Sequence, residues 1–208
     1  MQPSLTICYI TDRKSLRPLE AFVSEAIEAG VDLIQIRERD LETRALLGIA
    51  ERAVAASHGR ASRVVINDRL DVALAAGAAG IHLGHQSISA QRVRCLAPRD
   101  FQVGVSCHSV AEVRAAEEAD ADYALLGPIF ETPSKLAYGL PLGLEILRRA
   151  AEQARIPVLA LGGVTVKRVR QCREAGAAGV AGIRIFQEAP SIGQRIQEIR
   201  QSWDDRRD

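Results

Sequence analysis

One motif occurs four times along this chain: the end of a helix, rich in alanine and glycine, leads directly into a short apolar segment. The four copies span residues 28–36, 76–83, 118–126 and 174–183. Polar residues follow each apolar segment, for example Arg37 after the first copy and Arg184 after the last. This repeated order is typical of parallel α/β proteins, which collect their functional side chains at one end of the sheet.

Apolar periodicity along the 208 residues predicts eight strand–helix units. Most predicted strands are continuous apolar runs, as expected when both faces of a sheet are covered. The alternative is an open doubly wound sheet, which usually has about five or six strands and, when it binds a dinucleotide, a glycine-rich turn after the first strand. The residues after the first predicted strand, Asp12 and Arg13, belong to no such turn. We therefore predict an α/β chain with one (β/α)₈ TIM-barrel domain over residues 1–208.

Composition excludes several classes of function. The net charge is +1 and basic residues alternate with acidic ones, which argues against a nucleic-acid partner. No apolar stretch approaches the roughly 20 residues of a membrane span, and the N-terminus lacks a signal-peptide pattern. The four cysteines form no CxxC pair, which is typical of reduced thiols. We expect a cytoplasmic protein without a membrane partner.

The second predicted strand ends in a polar segment with two arginines. Because successive strand residues point to opposite faces, Gln35, Arg37 and Arg39 can share one direction. Two guanidinium groups with an amide beside them suit a phosphate or a carboxylate. The alternative is a surface charge cluster in which Glu38 and Asp40 pair with the arginines.

The next three strand ends add further candidates. Asn67, Asp68 and Arg69 follow the third strand, where a helix cap is a more ordinary role than ligand binding. We expect His82, near the end of the fourth strand, to be buried and satisfied by hydrogen bonds. Ser106 offers a hydroxyl after the fifth strand, and His108 is an acid–base candidate because an unperturbed imidazole titrates near neutral pH.

The longest predicted loop follows the sixth strand. Thr132, Ser134 and Lys135 lie in it and could hold an anionic group. Its length and bounding glycines are typical of a movable lid, and a plain surface loop is the alternative.

The last two strand ends predict a phosphate site. Gly162 and Gly163 follow the seventh strand, and Ile183 and Arg184 follow the eighth. Backbone N–H groups at these two loops commonly bind phosphate in barrels of this kind.

Taken in order, these segments resemble the thiamine phosphate synthase/thiazole tautomerase superfamily. The resemblance extends over about residues 9–186 and implies a (β/α)₈ barrel with a role in making thiamine. The segments that carry it are residues 9–12, 35–40, 66–69, 80–84, 104–109, 127–130, 132–135 and 162–163.

The superfamily contains two main activities. The synthase couples hydroxymethylpyrimidine diphosphate to thiazole phosphate and releases diphosphate, which implies Mg²⁺ with oxygen ligands. Asp68 matches one metal-binding carboxylate of the synthase pattern, whereas Ser87 stands where the second is expected. Arg39 stands at the position of a diphosphate-binding lysine.

The tautomerase isomerises thiazole carboxylate phosphate to its aromatic tautomer by proton transfer and needs no cofactor. The resemblance then implies that Gly163 and Arg184 bind the phosphate, that the arginines or Lys135 bind the carboxylate, and that His108 moves the proton.

The missing carboxylate at Ser87 leads us to predict the tautomerase, with His108 and Lys135 as catalytic residues. The synthase, with Mg²⁺, is the alternative, and a non-catalytic phosphate-binding relative is a third. The predicted partner is a small-molecule thiazole phosphate, and a homo-oligomer is left open.

Overall fold

The computed structural model describes residues 5–14, 18–132 and 140–205, and within them the strands form a closed parallel barrel. Neighbouring strands pair in chain order, and the last strand closes the barrel by pairing with the first. The predicted TIM-barrel class is therefore confirmed. The strands are β1 Thr6–Ile10, β2 Leu33–Ile36, β3 Arg63–Asn67, β4 Gly80–Leu83, β5 Gln102–Cys107, β6 Tyr123–Leu126, β7 Val158–Leu161 and β8 Gly179–Gly182.

Helices follow every strand of the barrel. They are α1 Leu19–Glu28, α2 Thr43–Ser57, α3 Leu70–Ala75, α4 Ala90–Leu96, α5 Val110–Glu118, α6 Gly143–Gln153, α7 Val166–Glu174, α8 Arg184–Gln187 and α9 Ile192–Asp204. The sequence did not predict α8, because a helix of one turn shows no apolar periodicity. Within residues 5–14, 18–132 and 140–205, no helix has the length and hydropathy that crossing a bilayer requires.

Most strands contribute to two cores because their side chains alternate between the faces of the sheet. The outward side chains, such as Ile34 and Ile66, pack against the helices. The inward side chains, such as Leu33, Val65 and Tyr123, fill the barrel interior. The same alternation determines which side chains point into the barrel at its carboxyl end.

The four repeated turns share one backbone feature. Gly30, Gly77 and Gly176 have φ values of 78°, 64° and 84°, and Asp120 has a φ of 66°. This left-handed conformation ends a helix and directs the chain into the next strand. The repeated motif is therefore a helix-ending turn, as predicted for Gly30.

The amino-terminal end of the barrel has its own polar groups. Asp32 accepts the backbone N–H of Ile7 at 2.8 Å, and Asp122 accepts that of Val103 at 2.6 Å. A cavity of about 270 Å³ lies at this end, beside both carboxylates. Because the carboxylates hold the starts of β1 and β5, and because barrel sites form at the opposite end, we assign this end a structural role.

Candidate functional site

The end of β2 presents a buried amide followed by two guanidinium groups. Gln35 is 1% exposed, and its Nε2 has no hydrogen-bond partner among the described residues. Arg37 is half-buried and Arg39 is exposed. Burial and the positive charge of Arg39 lower the pKa of Arg37, so the two cations lie close together. Among the described residues, no carboxylate forms an ion pair with either within 4.0 Å.

The acidic residues of this segment have other partners. Glu38 is buried and accepts hydrogen bonds from the hydroxyl of Thr11 at 2.7 Å and from the backbone N–H of Arg13 at 3.1 Å. Asp40 accepts three hydrogen bonds from the guanidinium of Arg13. The alternative interpretation, a cluster in which these carboxylates pair with Arg37, was wrong. They bind the loop after β1 instead and leave the arginines available to an anion.

A hydrogen-bonded group inside the barrel lies next to the arginines. His82 Nδ1 is 3.2 Å from the Tyr123 hydroxyl, and Nε2 is 2.8 Å from Ser106 Oγ. Gly104 makes room for this arrangement, because a Cβ there would lie 2.0 Å from the Tyr123 ring. Burial, and then the charge of Arg37, lower the pKa of His82 to about 3. The prediction of a buried, satisfied histidine is confirmed, and the imidazole is neutral.

The end of β3 carries an amide and a carboxylate. Asn67 is 8% exposed and pairs in register with His82 on β4. Asp68 is exposed and has a φ of 65°. Arg69, the last residue of the predicted triplet, occupies the cap position of α3, but the expected side-chain cap was wrong, because no side chain caps that helix. The turn instead leaves the Asp68 carboxylate at the rim of the barrel.

The loop after β4 decides how well the residues present would suit Mg²⁺. Ser87 Oγ accepts the N–H of Gly84 at 2.8 Å, so the hydroxyl closes a tight turn. A Cβ on Gly84 would lie 3.8 Å from both Ser87 Oγ and Arg39 Nη2. A guanidinium therefore lies near the turn that contains Ser87, the residue that stands where a second metal-binding carboxylate was expected. Within the described residues, no group of three or more His, Cys, Asp or Glu side chains could hold a metal. Since Mg²⁺ prefers charged oxygen ligands, one carboxylate beside a guanidinium does not fit it.

His108 lies at the end of β5. Its Nδ1 forms a hydrogen bond with the carbonyl oxygen of Gly127. Because a carbonyl only accepts, Nδ1 carries a proton. The backbone N–H of His108 donates to Glu112 at 2.8 Å. The imidazole is exposed at the carboxyl end of the barrel.

The loop after β7 has a backbone that only glycine fits. Gly162 and Gly163 have φ values of 92° and 63°. A Cβ on Gly163 would lie 2.5 Å from the carbonyl oxygen of Glu131. Arg168 donates to the Gly163 carbonyl oxygen at 2.8 Å, and its guanidinium lies 4.6 Å from the ring centre of Phe130. The sequence analysis missed Arg168, because nothing in an isolated helix shows which loop it supports.

The loop after β8 lies next to the same region. Arg184 begins α8, and its Nη2 donates to the Thr132 hydroxyl at 2.9 Å. Ile183 packs at the open end of the barrel interior. The structure thus brings the loops after β6, β7 and β8 together, as the predicted phosphate site requires. Ser134 and Lys135 lie outside the described residues, and the predicted lid lies mostly there too.

Comparison with known proteins identifies the family. The family model described as "Thiamine monophosphate synthase" matches residues 7–186. A relative from Geobacter sulfurreducens, provisionally named a thiamine-phosphate synthase, is 40% identical over 91% of this chain and 90% of its own length. The thiamine-phosphate synthase of Syntrophomonas wolfei is 32% identical over 94% of both chains.

Solved structures agree with this assignment. The thiamine phosphate pyrophosphorylase from Pyrococcus furiosus superposes with a TM-score of 0.87, at 32% identity and with 96% of both chains covered. A 3-hexulose-6-phosphate synthase, at 19% identity and a TM-score of 0.72, shares the fold. The resemblance seen in the sequence is confirmed, but the names of these relatives do not support a position closer to the tautomerases. The chain belongs to the thiamine monophosphate synthase family and is an enzyme of thiamine biosynthesis.

Proposed function

We propose that this protein is a thiamine phosphate synthase, which joins hydroxymethylpyrimidine diphosphate to thiazole phosphate. The observation that carries the proposal is a pair of anion-binding regions on opposite sides of the barrel rim. Arg37 and Arg39 extend from β2 towards His82 and Gly84 on the β4 side. The glycine loop after β7 and the arginine loop after β8 lie across the barrel from β4. A reaction between two phosphorylated substrates needs two such regions.

The proposed reaction forms one bond and breaks another. The thiazole ring nitrogen attacks the pyrimidine methylene carbon, the carbon–oxygen bond breaks, and diphosphate leaves with the bonding electron pair. The guanidinium groups of Arg37 and Arg39 stabilise the negative charge that develops on the departing oxygen. The strand residues Gln35, Asn67 and Ser106, on β2, β3 and β5, would suit an uncharged pyrimidine ring that needs hydrogen bonds. Gly163 and Arg184 would bind the thiazole phosphate.

One observation favours a second candidate function. The exposed imidazole of His108 at the carboxyl end of the barrel would suit the proton transfer of a thiazole tautomerase. The relatives' names favour coupling instead, so we place the tautomerase second.

The decisive experiment gives the purified protein both coupling substrates, in EDTA and with Mg²⁺ in parallel. We expect thiamine phosphate and diphosphate to form in equal amounts. Arg37→Gln should lower kcat/KM by about a hundredfold, because it removes an electrostatic contact to the leaving group. Arg99→Gln, an exposed arginine after α4, is the matched control and should retain wild-type kinetics.

A different product would overturn the proposal. If neither condition yields thiamine phosphate while thiazole carboxylate phosphate is isomerised, the protein is a tautomerase. If neither reaction proceeds but thiazole phosphate binds, it is a non-catalytic relative.

A further inference from the structure

Arg39 and Ser87 are far apart in the sequence but meet at one turn. Both Arg39 Nη2 and Ser87 Oγ lie 3.8 Å from the position that a Cβ on Gly84 would occupy. Both residues depart from the synthase pattern that the rest of the sequence resembles, in which a lysine and a carboxylate stand at these positions. Both departures lie near the same turn, so one change in how the site neutralises an anion can account for both.

We propose that this site binds diphosphate directly through Arg37 and Arg39, without a protein-bound Mg²⁺. The inference deepens the proposed synthase function and rests on it. In this arrangement the Arg39 guanidinium supplies, beside Ser87, the positive charge that a metal ion held by two carboxylates would supply.

The charges at this part of the rim support direct binding. Arg37 and Arg39 bring two positive charges close enough for each to affect the other. The negative charges of Asp12 and Glu38 also act on Arg37, and Asp68 adds a carboxylate at the end of β3. Glu38 and Asp40 are already bound to the loop after β1. Among the described residues, neither arginine forms an ion pair within 4.0 Å, so both guanidinium groups can bind a multiply charged anion directly. Two free carboxylates at the same turn would repel that anion until a cation bound between them.

The identity of the second cation matters as well. Arginine presents a planar fork of donors that can bind two oxygens of one phosphate, whereas lysine acts as a single point charge. The Ser87 hydroxyl brings no charge, and its hydrogen bond to Gly84 keeps it in the turn. A carboxylate at this position would instead pair with Arg39 and compete with diphosphate for it.

The test measures binding of inorganic diphosphate by calorimetry, in EDTA and in Mg²⁺. For the wild type we expect binding in EDTA, with Mg²⁺ changing the Kd by less than about threefold. Arg39→Lys should weaken binding in EDTA by about tenfold or more, because it removes a charge-assisted fork contact. Arg99→Lys is the control for a change of cation far from the site.

A matched pair at residue 87 isolates the effect of charge. Ser87→Asp and Ser87→Asn add side chains of nearly equal size that differ by one negative charge. We expect the Asp variant to bind diphosphate in EDTA at least about tenfold more weakly than the Asn variant, and to recover in Mg²⁺. Thermal melts of both variants monitor folding.

Specific results would overturn the inference. One is diphosphate binding by the wild type that requires Mg²⁺. The other is equal diphosphate binding in EDTA by the Ser87→Asp and Ser87→Asn variants. Coupling activity together with strictly Mg²⁺-dependent diphosphate binding would reject the inference and leave the synthase function intact. Diphosphate binding in EDTA without any coupling would reject the function alone.

Discussion

At the scale of single residues, His82 shows how a barrel interior sets protonation. The imidazole is 1% exposed, has a hydrogen-bond partner at each ring nitrogen and lies near the positive charge of Arg37. Burial penalises the charged form, and the neighbouring cation adds to that penalty. A buried histidine of this kind offers hydrogen bonds next to the proposed anion site without adding charge. The positive charge of that site then comes from the arginines.

The pH dependence of stability follows from this environment. The folded-state pKa of His82 is about 3, below the unfolded value of about 6.5. Between these values the unfolded chain binds a proton that the folded chain excludes, so stability falls as pH decreases from about 6.5 towards 3. Replacing His82 with Gln should reduce this fall by up to about 1.4 kcal/mol per pH unit.

Urea unfolding at pH 7 and pH 5 measures the effect. The exposed His58, after α2, supplies the control variant His58→Gln, which should follow the wild-type pH profile. An equal loss of stability on acidification in wild type and His82→Gln would contradict the assignment.

At the scale of elements, the four repeated turns show what a local motif can specify. Three use glycine and one uses Asp120, all with positive φ. Aspartate is one of the few other residues that tolerate this conformation, because its side chain can bond locally. These four turns therefore share a required backbone conformation, which glycine provides at three of them and aspartate at the fourth.

Substitution at Gly77 tests that requirement. A Cβ there has no atom within 4 Å, so only backbone strain opposes a side chain. We expect Gly77→Ala to lower the free energy of unfolding by about 1–2 kcal/mol, and Gly77→Asn to lower it less. Gly48→Ala, inside α2 with ordinary φ, should have the opposite sign, a gain of about 0.5–1 kcal/mol. Equal effects of Ala and Asn at Gly77 in urea unfolding would refute the explanation.

At the scale of the whole molecule, the two ends of the barrel separate stability from function. Asp122 at the amino end accepts the Val103 N–H and forms an ion pair with Arg94 at 2.7 Å. The residues of the proposed reaction all lie at the carboxyl ends of the strands. A substitution that destabilises the amino end should therefore leave the reaction at the carboxyl end unchanged.

Asp122→Ala should lower the free energy of unfolding by about 1–3 kcal/mol, because a backbone donor and a guanidinium lose their partner. The kcat/KM of the coupling reaction at 25 °C should stay within about twofold of wild type, since the site is at the far end. Asp122→Asn keeps a carbonyl acceptor and should cost less stability. A large loss of kcat/KM in a folded Asp122→Ala protein would show that the ends are coupled.

The sequence by itself determined the barrel and the rim positions of its polar residues. Strand and helix periodicities are local, and strand alternation places Gln35 and Arg37 in one direction whatever lies around them. The sequence motifs also identified the family. The missing carboxylate at Ser87, however, led to the prediction of a tautomerase, which the relatives' names do not support.

Only the tertiary structure decided which partners these residues meet. Glu38 binds the β1 loop rather than an arginine, Arg39 reaches the turn of Ser87, and Arg168 supports the β7 loop. Each contact joins different elements of the closed barrel, and its distance depends on how the strands are staggered and the helices packed. No local pattern carries that information, so the charge balance of the site could be seen only after the barrel had closed.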